Sequence, residues 1–177
     1  LMQACHATLL EDPCVLVFAG QRWLLGHGDA WCLDDTQYMQ FRAQVRHPDW
    51  QALFLQKPLA QRVELARGMR AQSEARKCAN ASYADVDTAT VNALLESAQA
   101  SHLVHGHTHR PARHLMDAGR ERLVLSDWDL LADPPRAQVL RLRRSGANAG
   151  DTNSCTVERL PPAMAASARP TTPNLVD

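Results

Sequence analysis

His102-Leu103-Val104-His105-Gly106-His107-Thr108-His109-Arg110-Pro111 joins a short apolar run to three imidazoles at alternate positions. An apolar run that meets glycine and polar residues at once reads as a β-strand delivering a loop. In an extended chain, residues two apart point the same way and sit roughly 7 Å from each other. His105, His107 and His109 would then line one side of the stretch. Imidazole nitrogen suits zinc, iron, nickel or copper, and manganese accepts it in mixed nitrogen and oxygen sites. A metal-binding loop is the sharper reading, and a His-x-His pair closing on a single zinc stays open beside it. The bland reading is a polar loop with surplus histidines.

The composition sets bounds on both. Of 177 residues, 45% are hydrophobic and 21% charged, which is the balance of a globular domain with a real core. Lys plus Arg and Asp plus Glu both total 19, so the net charge is zero and the electrostatic case for a nucleic-acid partner is absent. No apolar run reaches the eighteen or so residues that a bilayer span needs. Cys5, Cys14, Cys32, Cys78 and Cys155 are scattered and form no CxxC pair, so reduced thiols are expected, some of them buried. The start lacks the basic and apolar segments of a signal peptide. Leu1 in place of methionine leads us to expect a fragment or a processed end.

Upstream, Cys14 to Ala19 and Arg22 to Gly26 are apolar runs around a Gly20-Gln21 turn, the pattern of a β-hairpin. The second run feeds Gly26-His27-Gly28-Asp29, where small residues on both sides of a histidine let backbone approach a ligand. Asp34-Asp35-Thr36 opens a helix, Pro48 ends it and starts another, and Pro58 breaks that in turn. A third helix is expected from about Leu59 to Ala71, with Gln72 to Ser82 as a returning loop. These helices carry Trp50, Leu53, Phe54, Leu55 and Val63, and they read either as ordinary core or as a cap receiving a greasy substrate. A further helix from Asp87-Thr88 precedes the Leu103-Val104 strand. Strands follow at His114–Met116, Arg122–Leu125 and Gln138–Leu142, with Cys155–Leu160 as a last edge strand. The expected organisation is α/β: core 1–35, helical insertion 36–82, core 83–160, and a disordered tail 161–177.

Together these motifs resemble the calcineurin-like metallophosphoesterases, and within them the UDP-2,3-diacylglucosamine hydrolases. The resemblance rests on His27-Gly28-Asp29, Asp34-Asp35, Tyr38-x-x-Phe41-Arg42, Met69-Arg70-Ala71-x-Ser73, His105 to Pro111 and Ser126-Asp127-Trp128, and it spans about residues 8–143. It implies a partial phosphoesterase β-sandwich with flanking helices and an inserted helical cap. It implies two divalent ions, manganese by preference, with His27 and His107 on one and His109 on the other. His105 stands before the Gly-His-x-His motif and reads as a neighbouring, loop-packing group. Asp35, Ser73, Lys77 and His107 would touch substrate, Lys77 being equally readable as a solvated surface lysine. Arg70 or Arg110 could reach a phosphate, or simply lie on the surface.

The implied reaction is attack of hydroxide, held by the two metals, on the α-phosphorus of UDP-2,3-diacylglucosamine, giving UMP and 2,3-diacylglucosamine 1-phosphate (lipid X) in lipid A synthesis. No side chain is therefore nominated as the catalytic group. The implied setting is the cytoplasmic face of the inner membrane, as a peripheral protein. One departure is large. The family's Asp-x-His, Gly-Asp and Gly-Asn-Arg-Asp motifs do not occur ahead of His27. This chain is therefore expected to hold part of the centre and to be inactive alone. Another dinuclear metallophosphoesterase, a non-catalytic module with one zinc, and a gene fragment remain as alternatives.

Overall fold

In a computed structural model of the chain, residues 3–5, 7–79, 84–145 and 154–167 are described. Strands β1 (Cys14–Phe18) and β2 (Gln21–Gly26) form the hairpin. Its two-residue turn, Ala19-Gly20, has φ of 50° and 70°, the left-handed pair whose twist matches the flanking strands. Helices α1 (Thr36–Arg46), α2 (Pro48–Gln56), α3 (Leu59–Ala79) and α4 (Thr88–Ser97) follow. Then come β3 (His102–His105), β4 (Ala112–Leu115), β5 (Glu121–Val124), β6 (Val139–Ser145), β7 (Ser154–Leu160) and α5 (Pro162–Ser167). Two compact units result: Leu1–Asp29 with Ala89–Asp177, and Ala30–Thr88.

The first unit is built on a five-stranded sheet in the order β1-β2-β3-β5-β4. Its middle strands β2, β3 and β5 are parallel, and the edges β1 and β4 are antiparallel to their neighbours. Parallel neighbours cannot be joined by a tight turn, so the chain between β2 and β3 must make a long crossover. Side chains alternate between the faces. On one face Trp23, Val104 and Leu123 are buried and pack with Leu25, Leu125, Leu140, Leu142, Cys155 and Val157. Strands β6 and β7 thus form a separate antiparallel ribbon lying face to face with the sheet. Cys155–Leu160, expected as a last edge strand, is one of the two strands of this ribbon, with Cys155 and Val157 packed inward. Arg159 secures the layer by donating to the Ala112 and Val124 carbonyls at 2.7 and 2.6 Å. Helix α4 buries Val91 and Leu95 completely, Arg120 donates to its Asn92 carbonyl, and Arg22 donates to the carbonyl of Ala98 just past its end.

The second unit is helical, and its breaks follow side-chain chemistry. Asp35 caps α1 by accepting from the Tyr38 amide, while His47 closes α1 and accepts from the Asp49 amide to open α2. Pro48 occupies the first turn of α2, where its missing N–H is no loss. Helix α3 runs to Ala79, eight residues past the expected Ala71. The stretch Gln-Ser-Glu-Ala-Arg-Lys lacks an apolar period but is made largely of strong helix formers, and propensity carries it. Among the described residues α1 and α2 bury none, and Leu53, Leu55 and Leu59 are well exposed, so the ordinary-core reading of these helices does not hold. The unit's ends are tied by the Asp87 amide donating to the Trp31 carbonyl at 2.7 Å, beside buried Trp31, Cys32 and Val86. The unit thus brackets the expected 36–82 segment on both sides.

The expected disorder from Pro161 fails over 162–167, where Pro162 starts the alanine-rich α5. Residues 168–177 lie outside the described residues. Cys5, Cys14, Cys32 and Cys155 are in no disulfide, Cys32 being buried, and Cys78 lies in the part of α3 whose side chains are not described. No described helix is long and apolar enough to cross a membrane. Truncation at the core centre is expected to be costly. Leu123→Ala should lower unfolding stability by about 2–5 kcal/mol in urea denaturation, while Leu131→Ala, at a fully exposed position, should stay within about 0.5 kcal/mol.

Candidate metal centre

Gly26 and His105 end adjacent parallel strands and are partners in register. Both strands therefore release their loops at the same edge of the sheet, the carboxyl end where α/β proteins place ligands. The two loops are bonded directly: the Gly106 amide donates to the His27 carbonyl at 3.0 Å. On its other side the His27 amide donates to Asp12 Oδ1, also at 3.0 Å. The backbone of His27 is held at both ends, leaving its exposed imidazole to face outward. Gly28 has φ of 101°, and a Cβ there would stand 2.9 Å from His105 Nδ1. Conformation and space both demand glycine at this position.

Past His105 the chain does not stay extended. His107 and His109 have φ of 63° and 54°, and the Thr108 amide turns back to the Gly106 carbonyl at 2.7 Å. The expectation of three histidines along one side of a strand is corrected accordingly. His105 points into the protein, fully buried, while His107 is half-buried and His109 exposed. The turn brings His107 to His27, with ring centres 5.3 Å apart and planes at 67°. Two imidazoles on one tetrahedral ion at about 2.1 Å would have ring centres roughly 5 Å apart, so this pair fits two corners of a coordination sphere. Among the described residues no group of three His, Cys, Asp or Glu converges to complete it. The donor set fits part of a metal centre. Two divalent ions about 4 Å apart repel by on the order of 16 kcal/mol at an effective dielectric of 20, and neutral imidazoles contribute no countercharge.

His109 takes a different neighbour. Its Nδ1 lies 4.0 Å from Asp127 Oδ2. Arg136 grips Asp127 through both Nε and Nη2, the shortest bond being 2.8 Å, and also reaches Asp129 at 3.2 Å. The Arg136 hydrogen bond, reinforced by its charge and that of His109, holds the Asp127 carboxyl below the usual carboxylate range against a smaller desolvation effect. At 4.0 Å the carboxylate acts on the His109 imidazole through its charge and not through a hydrogen bond.

The remaining candidates stand on other elements. Asp35 is exposed in the helical unit, where one carboxylate oxygen serves as the α1 cap. Ser73 and Lys77 fall on α3, in the stretch whose side chains lie outside the described residues. Arg70 and Arg110 are exposed. Sequence reasoning assigned nothing to Asp12, Arg122 or Arg136. Asp127 stood within the quoted Ser-Asp-Trp segment without a role. A charged residue directly ahead of the apolar run Leu123-Val124-Leu125 was the available signal for Arg122.

A sheet with parallel centre, a packed antiparallel ribbon and histidine loops at the carboxyl edge define a partial phosphoesterase-like α/β fold. No family model matches the chain. It is 46% identical over 156 residues to the UDP-2,3-diacylglucosamine hydrolase of Bordetella pertussis, covering 85% of this chain and 60% of that protein. It is 50% identical over 125 residues to the enzyme of that name from Chromobacterium violaceum, covering 69% of this chain and 52% of that one. The Cellvibrio japonicus protein of the same name is 50% identical over 130 residues, 71% of this chain and 54% of its own length. The chain is thus a homologue of the UDP-2,3-diacylglucosamine hydrolases that spans little more than half of their length.

Two outcomes follow from the site's geometry. Gly28→Ala should destabilise the protein by about 1–3 kcal/mol and shift the His27 and His105 ring resonances, because the new methyl collides with His105. In a carboxyl-carbon NMR titration Asp127 should protonate below the ordinary value of about 4, and Arg136→Gln should move its midpoint upward. Since the folded pKa is depressed, the pair's contribution to stability is present above the ordinary value. It disappears as pH falls through the lowered one.

Proposed function

We propose that this chain forms part of a metal-dependent hydrolase acting on UDP-2,3-diacylglucosamine. The single observation that carries the reading is the His27–His107 pair, assembled from the loops that follow two parallel strands at the sheet's carboxyl edge, in a homologue of enzymes so named. The reaction is addition of water oxygen to the α-phosphorus and cleavage of the pyrophosphate P–O bond. It yields UMP and 2,3-diacylglucosamine 1-phosphate. A pair of divalent cations, manganese in this proposal, would acidify that water and neutralise charge on the phosphoryl group.

His27 and His107 would supply two neutral nitrogen donors to one ion. His109, beside Asp127, would supply one to the second. Asp35 keeps one carboxylate oxygen on the Tyr38 amide and would present the other to a sugar hydroxyl. Ser73 and Lys77 would meet the phosphate and acyl-sugar side. The exposed Leu53, Leu55, Leu59, Val63 and Leu65 of the helical unit suit acyl chains, each buried methylene contributing about 0.8 kcal/mol. Such a substrate places the protein peripherally at a membrane surface, on the cytoplasmic face of the inner membrane in this reading.

The 177-residue chain alone, given manganese and UDP-2,3-diacylglucosamine, is expected to release UMP at background level, because its donors supply no charge to bridge two cations. A chimera in which residues 8–143 replace the matching part of the Bordetella pertussis enzyme should release UMP in a manganese-dependent manner. His27→Ala or His107→Ala in that chimera should reduce the rate at least ~100-fold. A folded chimera without activity, or variants as active as their parent, would overturn the proposal.

A further inference from the structure

Buried His105 has no part in the scheme above, yet both of its ring nitrogens are engaged. Nε2 lies 3.4 Å from Nη1 of buried Arg122, and Nδ1 lies 2.9 Å from the Gly106 carbonyl oxygen. A guanidinium only donates and a carbonyl only accepts. The proton must therefore sit on Nδ1, with Nε2 accepting from Arg122. The relay continues, because Gly106 also donates its amide to the His27 carbonyl and accepts the Thr108 amide at its own carbonyl. Arg122 on β5, His105 on β3 and His27 after β2 are thus linked through one glycine. The imidazole also fills the space beside Gly28 that a side chain there would need.

Burying an imidazole and a guanidinium together is a poor way to fill a core. Polar groups in the interior cost free energy unless satisfied, and an apolar pair of similar shape packs at least as well. We propose that His105 is a positioning residue: through its Nδ1-protonated tautomer, held by Arg122, it fixes the Gly106 peptide and with it the approach of His107 to His27. This rests on the reading that those two imidazoles bind a metal ion.

The tautomer and the metal are tested separately. Long-range proton–nitrogen NMR of the 177-residue chain should show His105 protonated at Nδ1; protonation at Nε2 would overturn the relay whatever the loops bind. Zinc titration followed at the His27 and His107 rings should perturb both together in the parent protein. His105→Leu should weaken that response about 10- to 100-fold. His105→Asn, whose amide can still donate to the Gly106 carbonyl, should recover most of it at equal thermal stability. A folded Leu variant with parental affinity, or an Asn variant no better than Leu, would overturn the positioning role while leaving the metal reading intact. No zinc response in the parent protein would overturn both. Should the Leu variant fail to fold, Arg122→Met interrogates the same relay, and unchanged tautomer and zinc response there would also count against it.

Discussion

The parallel pairing of β2 with β3, with Gly26 opposite His105, is the constraint on which the rest of the structure depends. It makes a long crossover obligatory, and the helical unit and α4 occupy that crossover. It releases two histidine-bearing loops at one edge and lets the Gly106 amide reach the His27 carbonyl. Its register is demanding because side chains alternate. A slip of one residue would send His105 to the face covered by the β6–β7 ribbon and Val104 to the opposite one.

Both faces of the sheet bury apolar side chains. Trp23, Val104 and Leu123 stabilise the molecule by meeting the β6–β7 ribbon. The alternate positions bury Leu24, Leu103 and Val124 together with His105 and Arg122, and Asp29 is buried in the loop after β2. Polar groups removed from water must be satisfied, so these few contribute geometry where the apolar side chains contribute free energy. Leu123 and Arg122 are adjacent in sequence and serve these different ends.

Much of the architecture was legible where local chemistry decides it. The β1–β2 hairpin, the Asp35 cap, the Pro48 boundary and the β3 loop needed only turn preferences, caps and apolar runs. The end of α3 was not legible, since Gln72 to Ala79 continue by propensity without an apolar stripe. Cys155–Leu160 could be read as a strand but not assigned to its own ribbon, because alternation names an inward face without naming what covers it. Asp127 stood in a quoted segment without a role, and its pairing with Arg136 and proximity to His109 depend on the folded loops.

The chain by itself carried the residue types of a metal site, their attachment to strand ends, the helical insertion and the likeness to a hydrolase family. Those follow from chemistry within a few residues or from motifs that keep their order. The tertiary structure decided which histidines meet. His27 faces His107, His109 turns toward Asp127, and His105 is withdrawn to the interior beside Arg122. The reason is physical: two left-handed residues fold the loop out of the strand, and the β2–β3 register sets its partner far away in sequence.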